Sequence, residues 1–274
     1  MGTARVPAVA VRDEPGVDHF VSYLGLHIWH EGGQAWGRSM VTDLMWATGT
    51  RRPRLGLLFA MADIVAGNPV TGPITPTVDL RLQLLTAAPS TGVVVMETRP
   101  LKVGRRLWSG EVLLRGEDSP EVFGRCEFTF LNQPVADPAG TGSPGSHWGE
   151  GPAALPAASF DELFRMRFPS AGVVEMDPHE AVRNGVFGTI QGGAQAAMAE
   201  IASERLLSTR ARYQVCDIQL RYLNPLTTGP AVATAELLDR HEARPVLRVP
   251  IVDAGAGGRL VSIANVVCRP DTDA

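Results

Sequence analysis

Two hydrophobic rhythms alternate along the chain. Segments 77–85 (TVDLRLQLL), 92–101 (GVVVMETRPL) and 107–116 (LWSGEVLLRG) place apolar residues at roughly every second position, between breaks rich in Gly and Pro. That period of two predicts antiparallel strands with one buried face. Gly56 to about Ala66, and Gly193 to about Leu207, read differently: unbranched, Ala-rich sequence follows a glycine, with apolar residues on almost every side. These stretches predict two buried helices. A short strand such as GVVEMDP (172–178), a buried helix and about four meandering strands would make one α+β unit.

The unit occurs twice. Residues 54–67 (RLGLLFAMADIVAG) align without a gap on 191–204 (QGGAQAAMAEIASE), which sets Gly56 on Gly193 and Asp63 on Glu200. After one extra residue in the second copy, 76–85 (PTVDLRLQLL) matches 214–223 (QVCDIQLRYL) and sets Asp79 on Asp217. Residues 109–130 and 247–268 then share a pattern of strand, Gly- or acid-rich turn, strand. Between the copies, QPVADPAGTGSPGSHWGEGPAALPAAS is rich in Pro, Gly, Ala and Ser and too poor in large apolar residues to build a core. The expected organisation is an N-terminal unit over 1–132, a linker over 133–158 and a C-terminal unit over 159–274.

Composition narrows the function classes. With 274 residues, 45% of them hydrophobic and 20% charged, the chain is long enough to bury a large core. A net charge of −4 without basic runs argues against a nucleic-acid partner. Cys126, Cys216 and Cys268 are odd in number, widely spaced and without His at zinc-ligand spacing, so the sequence supports neither a disulfide framework nor a metal site. The apolar patch at the N-terminus is broken by Pro7 and followed by charges, unlike a secretion signal, and no window of about 20 apolar residues offers a membrane span. The expectation is a cytoplasmic protein with no membrane partner. A serine-hydrolase elbow, a phosphate loop and a dinucleotide fingerprint are all absent.

One family resemblance fits this organisation. The stretches NGVFGTIQGGAQAAMAE (184–200) and YQVCDIQLRYLNPLTTG (213–229) resemble the hotdog thioesterase superfamily, especially its phenylacetyl-CoA-type branch. That branch carries a His-Gly-Gly turn, a helix with an acid nine residues beyond the His, and a strand of the form T-x-D-L. Here Gln191 stands at the His position before Gly192 and Gly193, and Glu200 lies at the acid position. In the first copy Asp63 takes the acid's place and TPTVDLRLQLL matches the strand, while RLG replaces the His-Gly-Gly turn. The resemblance covers roughly 20–132 and 160–270 and implies a double hotdog, acting on acyl-CoA or a related acyl thioester in lipid metabolism without a cofactor. It further implies that paired helices run antiparallel, and hotdog pairs commonly associate into larger homo-oligomers.

Thioester hydrolysis needs donors for a developing oxyanion and a carboxylate to activate water or attack directly. First-turn amides at Gly192 and Gly193 suit the first task, because they lack partners within the helix and glycine admits substrate to the backbone. Gln191 cannot carry a proton as His does, but its amide can donate a hydrogen bond to a thioester oxygen or to water. Glu200 lies about 10 Å along the axis from Gly193, too far to serve the same carbonyl. Antiparallel helices would instead give two composite sites: Asp63 with Gly192 and Gly193, and Glu200 with the Gly56 turn. The first is better equipped, so one working site and one decayed or regulatory site are expected. Thr77, or Thr227 and Thr228, would orient water, and Arg105 would meet a CoA phosphate.

Each residue also has a purely structural reading: acids satisfied by neighbouring backbone, glycines that let helices approach closely, Asp79 and Asp217 bonded to turns, Arg105 solvated on a hairpin. The leading functional expectation is an acyl-CoA thioesterase; the alternatives are a non-catalytic acyl-CoA or lipid-binding protein and a scaffold.

Overall fold

The computed structural model describes residues 20–67, 76–132, 159–184, 188–208 and 212–271. The first stretch of chain forms β1 (His27–Glu31), β2 (Gln34–Val41), α1 (Leu55–Ala66), β3 (Thr77–Leu84), β4 (Gly92–Val103), β5 (Leu107–Gly116) and β6 (Val122–Leu131). The second forms α2 (Phe160–Leu163), β7 (Arg167–Ser170), β8 (Val173–Met176), a small hairpin of β9 (Arg183–Asn184) and β10 (Thr189–Ile190), then α3 (Gly192–Leu207). It closes with β11 (Tyr213–Tyr222), β12 (Ala231–Thr234), β13 (Glu236–Asp239), β14 (Val246–Asp253) and β15 (Arg259–Pro270). The helices α1 and α3 and the strands that follow them fall where the hydrophobic rhythm places them, while α2 and the β1–β2 and β9–β10 hairpins are not expected from it. The linker expected over 133–158 lies outside the described residues.

Among the described residues one antiparallel sheet runs in the order β1-β2-β4-β5-β6-β3-β11-β15-β14-β12-β8-β7, with β13 on β14. Within this sheet every strand up to β6 lies on one side of the β3–β11 pairing and every later one beyond it. At that junction Asp217 sits opposite Gln83 and Arg221 opposite Asp79. The Arg81 Nε donates to Asp217 at 2.9 Å and Gln83 donates to the same carboxylate, while Arg221 and Gln219 both donate to Asp79 at 3.2 Å. Because Asp79 aligns with Asp217, each copy supplies one acid to the other's Arg and Gln. These acids bind side chains of the facing strand, not turns.

The sheet wraps α1 and α3. Ten of the twelve residues of α1 are buried, and the two that are not are Asp63 and Ile64. In α3 every residue from Gly193 to Ser203 is buried, Glu200 included. A methyl group on Gly56 would lie 2.6 Å from the backbone of Ala197, and one on Gly193 would lie 2.2 Å from the Ala60 Cβ. Gly56 aligns with Gly193 and Ala60 with Ala197, so the same contact is made twice about a pseudo-twofold axis. As α1 runs from 56 to 60, its neighbours on α3 run from 197 back to 193: the helices are antiparallel. Phe20 packs edge-on against Phe160 and Phe164, tying the start of the first copy to α2 of the second. No helix among the described residues is long and apolar enough to cross a membrane.

Candidate active site

At the first turn of each helix the backbone N–H groups have no partner within the helix and carry the positive end of its dipole. The α1 turn is closed by a residue of the other copy. Glu200 accepts hydrogen bonds from Leu55 N at 3.0 Å and Gly56 N at 2.8 Å, using one carboxylate oxygen for each. Its side chain is fully buried, with Arg54 Nη1 at 3.8 Å. Arg54, the residue before the helix, is itself buried between Asp161, to which it donates two hydrogen bonds, and Glu204 at 3.5 Å. Burial pushes the Glu200 carboxyl upward, against the Arg54 guanidinium and the Gly56 N–H, which favour its charged form. Acid, helix terminus and arginine form one closed set.

The α3 turn is built from aligned residues with different chemistry. Gln191 precedes the helix in extended conformation, and its Oε1 accepts from Gly193 N and Ala194 N. The side chain at the His position therefore caps its own helix, and the Gly193 N–H is already used. Gly192 N has no acceptor among the described residues, and Gly192 is partly accessible, whereas Leu55 and Gly56 in the other turn are buried.

Facing this turn across the pseudo-twofold is Asp63, one methylene shorter than Glu200. Thr77 Oγ1 donates to Asp63 Oδ1 at 2.7 Å, and among the described residues no bond joins Asp63 to the α3 turn. Its carboxyl is pushed up to about 6 by burial, opposed by the Thr77 hydrogen bond. A β-bulge positions the threonine: the β3 register against β6 shifts between Thr77 and Asp79, which turns Thr77 towards α1. The second copy carries the same irregularity between Val215 and Asp217. There, Val215 replaces Thr77, so Glu200 has no equivalent hydroxyl.

Tyr222 joins the group from β11. Its Oη is shut off from solvent and has no hydrogen-bond partner among the described residues. It lies over Gly192, where an added methyl group would come within 2.2 Å of it. Burial, followed by the negative charge of Asp63, holds the phenol firmly protonated. The aligned residue in the first copy is the buried Leu84, so Tyr222 puts a hydroxyl where the other copy has an apolar side chain. That mismatch between the copies is the signal by which sequence alone could have found it.

The remaining sequence-predicted residues lie elsewhere. Thr227 and Thr228 spend their N–H groups on the Asp253 carboxylate. Arg105 is exposed in the turn between β4 and β5, beside exposed Leu101, Val103, Leu107 and Leu131. This edge reaches the start of β3, since Leu131 N donates to Pro76 O next to Thr77. Among the described residues no group of three His, Cys, Asp or Glu could hold a metal ion.

The sequence matches no family model, and no curated protein is significantly similar to it. Solved structures are similar in shape. The tesB protein of Mycobacterium avium subsp. paratuberculosis superposes with a TM-score of 0.63 at 12% identity, over 89% of this chain and 96% of that one. A conserved protein with a hot dog fold from Alicyclobacillus acidocaldarius gives 0.60 at 10% identity, over 93% and 99%. An acyl-CoA thioesterase II of Mycobacterium marinum gives 0.58 at 11% identity, over 92% and 98%. At these identities the likeness establishes the fold, a double hotdog spanning nearly the whole length of its structural neighbours.

Proposed function

We propose that this double-hotdog chain hydrolyses an acyl thioester, acyl-CoA or a related carrier, at the site formed by Asp63, Thr77 and the α3 turn. The observation that carries the reading is the broken symmetry of the two helix starts. Glu200 fills the α1 turn and is itself sealed from solvent, while the aligned Asp63 stays partly accessible and makes no bond to the α3 turn, where Gln191 takes the Gly193 and Ala194 amides and leaves that of Gly192. The printed names of two structural neighbours, a tesB protein and an acyl-CoA thioesterase II, support the same chemistry.

In this reading the Gly192 N–H receives the negative charge that builds on the thioester oxygen. Asp63, oriented by Thr77, takes a proton from water as the water oxygen bonds to the carbonyl carbon. The C–S bond then breaks, and the proton held by Asp63 passes to the departing thiolate, giving a carboxylic acid and a thiol. Gln191 acts by fixing the turn. Glu200 closes the opposite site, which is then a structural joint between the copies. Arg105, on the exposed edge beside the start of β3, meets the phosphates of CoA.

Steady-state release of thiol from a panel of straight-chain and aromatic acyl-CoA esters tests this. Turnover is expected for at least one ester, with kcat reduced by about 100-fold or more in Asp63→Asn. Full activity in Asp63→Ala, or no hydrolysis of any ester, overturns it. A second reading, a non-catalytic acyl-CoA-binding protein, is favoured by one observation: Gln191 uses its acceptor on the helix and can carry no proton. Micromolar binding of acyl-CoA esters without turnover would select it.

A further inference from the structure

An oxyanion site needs more than one donor to be effective, and in this chain one of the two glycine amides is already engaged. Gly193 N donates to Gln191 Oε1, which leaves Gly192 N as the backbone group facing Asp63's side of the site. Directly over Gly192 stands a hydroxyl, Tyr222 Oη, sealed from water and without a partner among the described residues. Buried hydroxyls are nearly always paired, because an unmade hydrogen bond in the interior is unfavourable. An orphan of this kind beside an accessible helix terminus marks a place where a ligand oxygen belongs.

The sequence of the other copy supports this. At the α1 turn, Leu55 stands in place of Gly192 and Leu84 in place of Tyr222, and both leucines are buried. Any side chain at 192 would collide with the phenol. Glycine and tyrosine therefore belong together at the open turn, as leucine and leucine do at the sealed one.

We propose that Tyr222 is a second oxyanion donor, its hydroxyl binding the carbonyl oxygen of the acyl thioester together with the Gly192 N–H. This rests on the thioesterase reading and adds to it a catalytic group from the strand that joins the two copies. The phenol keeps its proton throughout. It donates a hydrogen bond that strengthens as charge gathers on the oxygen, and it takes no part in proton transfer to the thiolate.

The test uses the whole protein and two ligands: CoA itself, and the ketone analogue of octanoyl-CoA in which a methylene replaces the thioester sulfur. In Tyr222→Phe the Kd for the ketone is expected to rise about 10-fold while that for CoA is unchanged. The kcat for octanoyl-CoA should fall about 10- to 100-fold with KM nearly constant, and the acid limb of the pH profile should stay where Asp63 sets it. Thermal stability should be equal or higher, because the variant removes an unpaired hydroxyl and keeps the ring; a merely structural tyrosine would lose stability instead. Tyr222→Leu, which copies Leu84, should show the same loss of kcat. Equal ketone affinity and unchanged kcat in Tyr222→Phe, with the wild type active, overturn this proposal and leave the thioesterase reading intact. A wild type that neither binds the ketone nor hydrolyses any ester overturns both.

Discussion

Asp63 and Glu200 occupy aligned positions on two packed helices, yet a difference of one methylene and of one neighbour separates their chemistry. Glu200 reaches the amides of the facing helix and becomes part of the interior. Asp63 takes its hydrogen bond from Thr77. With its carboxyl raised to about 6, Asp63 is a base only above that pH, so kcat/KM should fall about tenfold per unit as pH drops below 6. A pH–rate profile flat down to pH 4.5 would contradict this assignment. The same shift has a stability consequence of opposite sign. Its native value lies above the ordinary 3.8, so the native state holds the proton more tightly than the unfolded chain. Its contribution to stability is greatest below about pH 4 and is lost as pH rises through 6. Asp63→Asn should therefore match the wild type near pH 4 and exceed it at pH 8 by up to about 3 kcal/mol in urea unfolding, even as activity disappears. Glu200→Gln acts on the other turn: the amide nitrogen that replaces one carboxylate oxygen leaves Leu55 N or Gly56 N without its acceptor. That should lower stability by about 1–3 kcal/mol, with kcat within a few-fold of wild type at a permissive temperature. Both acids were legible from the sequence because a carboxylate within an apolar helix stands out. Their opposite environments were not: that of Glu200 is set by Leu55 and Gly56 of the other copy, 145 and 144 positions away, and that of Asp63 by a register shift in β3 that brings Thr77 to it.

At the scale of elements, the two helices meet where glycine faces alanine. A Cβ at position 56 would collide with backbone, which cannot swing aside as a flexible side chain can. Gly56→Ala should lower the unfolding free energy by about 1–3 kcal/mol, and Gly193→Ala by a similar amount. Only the second should also reduce kcat, because it displaces the turn beside Gly192; equal kinetics in the two variants would place the active turn wrongly. The hydrophobic rhythm predicted both helices to within a residue or so, and the alternating strands likewise. The bulges beside Thr77 and Val215 were not predicted. An added residue in one strand leaves the period of two nearly intact, and it shows only as a change in which face a side chain takes. That change is what brings Thr77 to Asp63.

At the scale of the molecule, the described residues form one large sheet around two antiparallel helices, with β3 and β11 as its seam. Each Asp of the seam is held by the other copy's Arg and Gln, and each helix packs its glycine on the other. Neither half has its full set of partners alone, so thermal unfolding should be a single transition with matching calorimetric and van't Hoff enthalpies. Two resolved transitions would mean that the seam is weaker than its contacts imply. By itself the sequence determined the two central helices, the main strands beside them, their duplication and the two acids, because periodicity and repetition are properties of a line of residues. Only the tertiary structure decided which acid meets which helix start, which amides remain open, and that Tyr222 stands over Gly192. These depend on contacts across a pseudo-twofold axis, and distance along the chain carries no record of them.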